Sequence, residues 1–178
     1  MKSKVEELST GLKKRLLIAR GLINDPKILI LDEPTTGLDP QSRHLIWQKL
    51  RTLKAKGFTI LLTTHYMEEA SQLCEEVVII DHGKILTHGN PLRLVQEHIG
   101  TEIIEMRAEP SKDAEISILL KEEKAQKERF GDTLYIYSRN GKSLLQKLIE
   151  IPHEQIIHRP ATLEDLFLKL TGRELTDA

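Results

Sequence analysis

The sequence predicts an α/β fold with a parallel sheet, followed by a small α+β domain, and three features lead to this prediction. In the first part of the chain, short apolar runs alternate with amphipathic stretches, an order that favours parallel strands joined by right-handed crossovers. The later part follows the order strand, helix, strand, strand, helix, strand, helix, which is typical of a ferredoxin-like domain. Gly-Asn-Pro at 89–91 and Gly100 lie between these two patterns of strands and helices, so we place the domains at 1–99 and 100–178.

The first domain opens with a predicted helix and a predicted strand. Residues 11–24 contain apolar residues that recur on one helical face, and Asp25-Pro26 ends the helix. That face consists of Leu12, Leu16, Ala19 and Ile23. KILIL, at 27–31, is a continuous apolar run of the type that is buried on both faces of a parallel sheet.

A second helix and strand follow, and then a hairpin. Asp39 is the predicted N-cap of the helix and Pro40 its first residue, with an inner stripe of apolar side chains and an end at Gly57. The stripe is formed by Ile46, Leu50 and Leu53. The next predicted elements are a buried strand at 58–62, a short helix at 65–73, a third strand at 76–80, and an antiparallel partner at 84–88 after a His82-Gly83 turn.

The second domain has seven predicted elements. They are a strand at 101–109, a helix at 113–122, strands at 125–130 and 133–138, a helix at 141–150, a strand at 153–159 and a closing helix at 162–172. Thr162 is the predicted N-cap of the last helix.

Composition excludes several classes of protein. The 178 residues carry 26 Lys and Arg against 27 Asp and Glu, so there is no basic footprint for bulk nucleic-acid binding. No apolar run approaches the roughly 18 residues that would span a bilayer, and MKSKVEELST has no apolar secretory core. Cys74 is the only cysteine, which rules out an internal disulfide and suits a small buried hydrophobe. These features predict a cytosolic protein.

Polar side chains follow both predicted strands of the first domain. Asp32 and Glu33 end the first strand, and Thr63, Thr64 and His65 end the second. Ligands bind at the carboxyl ends of parallel strands, and unpaired carboxylates there need a cation or donors. Mg²⁺ takes oxygen ligands and keeps several waters, so a phosphate ester bound to Mg²⁺ would account for this edge. The alternative is a helix-capping loop with solvated acids.

The stretch LSTGLKKRLLIARGLINDPKILILDEPTTGLDPQSR, followed by TILLTTHYMEEA, resembles the ATP-binding cassette ATPases of ABC transporters. The resemblance covers residues 6–90 and joins four motifs in the family's order. Residues 8–12 resemble the signature motif, ILILDEP the Walker B strand of this P-loop NTPase fold, residues 36–39 the D-loop, and His65 the switch histidine.

The resemblance implies a role for each acid and for the histidine. Asp32 would hold Mg²⁺ through a water, and Glu33 would act as the general base that polarises the attacking water. His65 would hydrogen-bond the γ-phosphate of ATP. These roles suit in-line phosphoryl transfer, which needs mostly positioning and charge stabilisation.

The signature motif and the D-loop are implied to act between two cassettes. Ser9, Thr10 and Gly11 stand at a helix N-terminus, where N–H groups favour an anion, and in this family that anion is the γ-phosphate of ATP on the opposite subunit. Asp39 would lie at the dimer interface. The motif departs from the family's usual LSGGQ, because Thr10 replaces the first glycine and Leu12 the glutamine.

No G-x-x-x-x-G-K-[ST] loop, the Walker A motif, occurs in the sequence. Gly141-Lys142-Ser143 comes nearest, but Ile136 stands where the motif requires its first glycine, so we interpret this stretch as a turn and helix start. The chain is therefore expected to be the C-terminal part of a cassette subunit, and to be inactive alone.

A histidine pair and a C-terminal apolar face are two further candidate sites. His153 and His158 are spaced i, i+5, which does not fit the i, i+4 of a zinc-protease helix, and the flanking residues favour a strand. We expect the remaining histidines of polar segments at the surface, namely His44, His82, His88 and His98. HRPATLEDLFLKLTGRE resembles the C-terminal extension of cassette subunits from the ABC-2, drug-export branch, and its apolar face either packs on its own sheet or forms a regulatory or dimerisation surface. That face is Leu163, Leu166, Phe167 and Leu170.

By resemblance, the expected function is that of an ATP-binding and ATP-hydrolysing subunit that powers export through a separate transmembrane subunit. Its cofactors would be ATP and Mg²⁺, and its second partner another cassette, with no nucleic acid and no metal cluster. It would be cytoplasmic and peripheral on the inner face of the cell membrane. The alternative is a non-catalytic fragment that pairs with an intact cassette or membrane subunit. A cassette ATPase of translation or DNA repair would need a basic linker or a long coiled-coil insertion, and neither is present within these 178 residues.

Overall fold

The computed structural model describes residues 5–123, 125–138 and 141–172. The chain divides into two compact units, Met1–Cys74 and Glu75–Ala178. This division lies earlier than residue 99, because the hairpin and helix between residues 77 and 98 group with the second unit. The predicted boundary between residues 99 and 100 separates a part of the cassette from an accessory domain. That boundary stays a prediction.

The first unit contains a parallel strand pair and three helices. Its elements are α1 (Thr10–Gly21), β1 (Ile28–Asp32), α2 (Pro40–Ala55), β2 (Thr59–Thr63) and α3 (Met67–Leu73), with a 3₁₀ turn at Val5–Glu7 before them. β1 and β2 pair in parallel from Ile28 opposite Thr59 to Asp32 opposite Thr63. The predicted parallel strands, and the helix between them, are confirmed.

The core of the first unit lies along one face of α2. The predicted stripe is buried, and Trp47, only 1% exposed, extends it. The packed residues are Ile18, Leu29, Leu38, Ile46, Trp47, Leu50, Leu53 and Leu73. Cys74 packs against this cluster as a small apolar side chain, but it is half-buried and not buried as predicted.

Three further burial predictions for the first unit are wrong. The strand predicted to be buried at 58–62 is not, since Leu61 of β2 is 60% exposed and Ile60 and Leu62 are only partly buried. β1 buries one face only, since Ile30 is 70% exposed while Leu29 is 5% exposed. The apolar face predicted for α1 is also exposed, and the helix meets the core through Ile18 and the partly buried Leu22 instead. The predicted face failed because a repeat at i, i+4, i+7 and i+11 shows that residues share a face but does not show what covers it.

The second unit contains a hairpin and a four-stranded antiparallel sheet. Its elements are β3 (Val77–Asp81), β4 (Lys84–Gly89), α4 (Pro91–His98), β5 (Glu102–Arg107), α5 (Asp113–Glu122), β6 (Gln126–Phe130), β7 (Thr133–Ser138), α6 (Gly141–Leu148), β8 (Gln155–Pro160) and α7 (Leu163–Thr171), with a 3₁₀ turn at Pro110–Lys112. The sheet order is β6-β7-β5-β8, so the predicted ferredoxin-like α+β arrangement is confirmed.

The hairpin follows from its two-residue turn. His82 and Gly83 both have positive φ, 45° and 71°, which matches the turn that best suits the twist of paired strands. β3 accordingly pairs with β4 in antiparallel fashion. The expected pairing of β3 as a third parallel strand is not found among the residues that the structure describes.

Helix α4 was not predicted, although the sequence contains the signals for its start. The Asn90 side chain caps the helix by accepting the Arg93 amide at 3.2 Å, and Pro91 is the first helical residue. α4 packs against α7, whose Leu163 and Leu166 are buried at 2% and 0% exposure. Over the described ranges, no helix combines the length and apolar character needed to cross a bilayer.

Candidate functional site

The carboxyl ends of β1 and β2 bring the predicted acid and threonine together. Asp32 lies opposite Thr63 in the parallel pairing, and the Thr63 hydroxyl donates a hydrogen bond to Asp32 Oδ1. The Glu33 amide donates to the Thr63 carbonyl at 3.1 Å and so continues the ladder by one residue. Parallel pairing thus fixes the start of the loop that carries Glu33.

The Glu33 carboxylate faces His65. Its Oε2 lies 2.9 Å from His65 Nδ1 and accepts a hydrogen bond from the Thr36 hydroxyl at 2.7 Å. Partial burial raises the pKa of Glu33, but the hydrogen bonds from His65 and Thr36 outweigh that effect, and the pKa is lowered. Glu33 is therefore ionised at neutral pH, as a proton acceptor must be.

The backbone at Glu33 is held in an uncommon conformation. Its φ is 47°, in the left-handed region that side chains other than glycine rarely adopt. The ammonium group of Lys14, from α1, donates to the Glu33 carbonyl oxygen at 2.6 Å. Nothing in the sequence indicates this role of Lys14, which is one of several basic residues in the first turns of α1. This contact places α1 beside the backbone of Glu33.

The site is open to solvent. Asp32 is exposed, and the side chains of Glu33 and His65 are 34% and 59% exposed. The expectation that carboxylates at this edge need a cation or donors is therefore weakened, because Asp32 is exposed and Glu33 is only partly buried. An exposed carboxylate remains accessible to a charged ligand at little desolvation cost.

The donor set fits a magnesium ion that is shared with a ligand. Asp32 supplies one exposed carboxylate, and Mg²⁺ in proteins is commonly held by one or two carboxylates together with phosphate oxygens and water. No group of three or more His, Cys, Asp or Glu side chains in the described part of the chain is arranged to hold a metal by itself.

The predicted phosphate-binding residues lie at the N-terminus of α1. Ser9 is the N-cap, and its hydroxyl accepts the Leu12 amide at 3.3 Å, while Thr10 is exposed. A Cβ built on Gly11 would lie 3.6 Å from the Ser42 hydroxyl, so the start of α1 lies against the first turn of α2. The N-termini of the two helices are neighbours on one side of the unit.

Asp39 caps α2 as predicted. Its carboxylate accepts the Ser42 amide at 2.9 Å, and hydrogen bonds from Ser42 lower the pKa of Asp39. Glu33 and Asp39 bound one turn-rich loop, residues 33–39, between β1 and α2. We name it the acid loop.

The glycine–lysine–serine stretch and the other histidines lie outside the candidate site. Gly141 begins α6, and its amide donates to Glu102, as expected for a turn and helix start. His158 lies in β8, within 3.5 Å of a Glu102 carboxylate oxygen, and His153 Nδ1 contacts the Ile151 carbonyl at 2.7 Å. The surface histidines are all exposed as predicted, namely His44, His82, His88 and His98.

Replacing His65 with Ala should leave the stability of the first unit within about 0.5 kcal/mol of the wild type, because exposed ion pairs contribute little. Urea unfolding followed by Trp47 fluorescence measures this directly. A loss much larger than that would mean that the Glu33–His65 contact is a structural pair, and it would weaken its assignment to a functional site.

Sequence comparisons identify the family. A family model described as "ABC transporter" matches residues 1–36, which contain the start of α1, all of β1 and Glu33. A second, "Nodulation factor export protein NodI, C-terminal domain", matches residues 112–172. A "Nod factor export ATP-binding protein I" from Burkholderia orbicola is 48% identical over 98% of this chain. The chain belongs to the ABC transporter ATPase family.

Other relatives of the ABC family carry the same name. The proteins of Ralstonia nicotianae and Neorhizobium galegae are 46% and 45% identical over 97% of this chain. The chain covers 55% and 49% of their lengths, and 57% of the Burkholderia orbicola protein. It thus spans about half the length of the curated relatives that it matches.

Solved ABC cassettes are similar over about half of this chain. A structure titled "ATP binding subunit of ABC transporter" is 32% identical, with a TM-score of 0.47, and the match covers 53% of this chain and 40% of that one. The family assignment rests on the sequence matches, which extend over almost the whole chain.

Proposed function

We propose that this chain supplies the acid-bearing part of an ATP-hydrolysing subunit of an ABC exporter. The observation that supports it most strongly is the placement of Asp32, Glu33 and His65 at the carboxyl ends of two paired parallel strands. Members of the ABC ATPase family bind ATP, and ligands of open parallel sheets bind at this edge.

In this proposal Glu33 is the general base. Its lowered pKa keeps the carboxylate ionised, and Thr36 and His65 orient it through Oε2. A water bound beside the carboxylate would lose its proton to Glu33 as it attacks the γ-phosphate. His65, more exposed than Glu33, would donate a hydrogen bond to that phosphate.

Asp32 would hold Mg²⁺ through a water. Bound there with ATP, the ion would neutralise charge on the phosphates during transfer. The Thr63 hydroxyl donates to one Asp32 oxygen and so restrains the carboxylate, leaving the other oxygen for a water of the ion.

The start of α1 would serve a second cassette. Ser9, Thr10 and Gly11 are at a helix N-terminus, where backbone N–H groups and the helix dipole attract an anion. We propose that they meet the γ-phosphate of ATP on the partner cassette, with Asp39 at the interface between the two. The adjacency of Gly11 and Ser42 supports a single contact surface made by the two helix starts.

The names of the relatives favour export over import. Proteins called "Nod factor export ATP-binding protein I" align with almost the whole chain, so we propose export of a cargo of that class through a separate transmembrane subunit. The subunit would then be cytoplasmic and held at the inner face of the membrane by that partner.

We further propose that the 178-residue chain does not hydrolyse ATP by itself, since it contains no G-x-x-x-x-G-K-[ST] sequence to cradle the phosphates. The test is ATP turnover by the purified chain, alone and mixed with an intact relative. Turnover by the chain alone would refute the need for that loop. A change in the relative's turnover on mixing, with none from the chain alone, would support the alternative of an interaction partner.

A further inference from the structure

A buried carboxyl group joins the acid loop to α3. Glu69, on α3, is fully buried, and its Oε1 accepts hydrogen bonds from the Thr35 hydroxyl and from the Trp47 indole N–H, both at 2.8 Å. Thr35 is also fully buried, and Trp47 is 1% exposed. Glu69 is therefore the meeting point of the acid loop, α2 and α3.

Among the residues that the structure describes, none donates a hydrogen bond to the second oxygen of Glu69, although that oxygen is buried. A buried polar atom without a partner costs stability, roughly 1–3 kcal/mol, and only apolar side chains in place of Glu69 and of both its donors would avoid that cost. The stability of the core alone therefore does not account for a carboxyl group here. Its distinctive property is that it holds two donors from different elements at one oxygen.

The buried hydrogen bond between Thr35 and Glu69 joins the two chain segments that carry Glu33 and His65. Thr35 comes two residues after Glu33, and Glu69 four residues after His65. The same two segments are thus joined twice, by an exposed contact between Glu33 and His65 and by a buried one between Thr35 and Glu69. An exposed ion pair is too weak to fix a loop, whereas a buried hydrogen bond to a carboxyl group is stronger.

We infer that Glu69 is a positioning residue: through the Thr35 hydroxyl it fixes the acid loop against α3 and so holds Glu33 within reach of His65. The consequence for catalysis rests on the proposed function, but the positioning itself does not. It is a property of this chain that is measurable without ATP.

The variants separate the two donors that share Glu69 Oε1. Thr35→Val removes the loop's hydroxyl at nearly constant volume and frees the acid loop. Trp47→Phe removes the other donor and disturbs the core, yet leaves the loop attached, so it is the matched control. Glu69→Gln keeps an acceptor oxygen and should preserve the attachment, while Glu69→Met removes it.

Amide hydrogen exchange on the 178-residue chain measures the attachment. The Thr36 amide donates to the Glu33 carbonyl at 3.4 Å, and the Leu38 amide to the Thr35 carbonyl at 3.2 Å, so both report on the acid loop. In Thr35→Val we expect these two amides to exchange about fivefold to tenfold faster relative to the Leu50 amide of α2, as loss of one buried hydrogen bond implies. Trp47→Phe and Glu69→Gln should leave that ratio within about twofold of the wild type.

The opposite pattern would overturn the inference. If Thr35→Val and Trp47→Phe change the ratio equally, or if Thr35→Val leaves it unchanged, Glu69 is only a core residue. A second readout is ATP turnover by a chimera that joins the N-terminal region of a relative to this chain. There Thr35→Val should lower kcat with KM for ATP unchanged. If exchange follows the prediction but the unmutated chimera hydrolyses no ATP, the positioning role stands and the proposed function fails.

Discussion

Replacing Glu33 with Gln should lower kcat for ATP hydrolysis by about 10²–10⁴-fold, the usual contribution of a general base. The protein for this measurement is a chimera in which the N-terminal region of the Ralstonia nicotianae relative precedes this chain, since that relative is 46% identical over 97% of it. Gln keeps the size of the side chain and its contact with Thr36, but the amide does not accept the proton of the attacking water. ATP-dependent dimerisation should persist, because binding does not require the base.

Glu68→Gln is the matched control for this measurement. Glu68 is an exposed acid in the first turn of α3, three residues from His65, and no role is proposed for it. Its kcat should stay within about twofold of the unmutated chimera. Turnover by Glu33→Gln at the unmutated rate would show that Glu33 is not the base.

Asp165→Ala should destabilise the second unit by about 2–4 kcal/mol, through loss of a helix cap and of a buried ion pair. The Asp165 carboxylate is 5% exposed, accepts two bonds from Arg159 at 2.7 and 2.8 Å, and accepts the Thr162 amide and hydroxyl at 2.7 Å each. Arg159 also pairs with Glu105 at 2.6 Å, which moderates the loss. Urea unfolding followed by far-ultraviolet circular dichroism measures it.

The pH dependence of this effect gives an independent check. Burial raises the pKa of Asp165, but the hydrogen bonds from Arg159 and Thr162 outweigh it, and the pKa is lowered. Because the folded-state pKa lies below the unfolded value of about 3.9, the stabilisation is present above that pH and is lost as the pH falls through the folded pKa. The wild type and Asp165→Ala should therefore converge in acid. Glu164→Ala, at an exposed neighbour, should change stability by less than about 0.5 kcal/mol at any pH. Equal losses for the two variants would contradict the account.

Much of the fold was predictable because local signals agreed with it. Asp39 and Thr162 cap the predicted helices, and the apolar stripe of α2 packs as its spacing indicated. The placement of Asp32 and Thr63 at one edge followed from parallel pairing. These features depend on the residues of one element or on one rule of sheet geometry, and for that reason a single sequence reveals them.

The rest depended on contacts between distant residues. The apolar run of β1 indicated burial on both faces, yet Ile28 and Ile30 are exposed. An apolar run shows that a strand favours burial, but it does not show which residues pack against each face. The burial of Glu69 was not predictable, since an acid in the first turn of α3 suits a solvated helix start equally well. The contact of Lys14 with the Glu33 carbonyl oxygen was likewise not predictable, since Lys127 and Lys169 also donate to backbone carbonyl oxygens and the sequence does not show which carbonyl a lysine will meet.

The most direct test of the central claim is a crystal structure of the Glu33→Gln chimera with ATP and Mg²⁺. The account predicts the ion beside Asp32, joined to it through a water, and the γ-phosphate between residue 33 and His65, with Ser9 and Gly11 of the partner cassette on its far side. A nucleotide whose phosphates lie away from the carboxyl ends of β1 and β2 would contradict it.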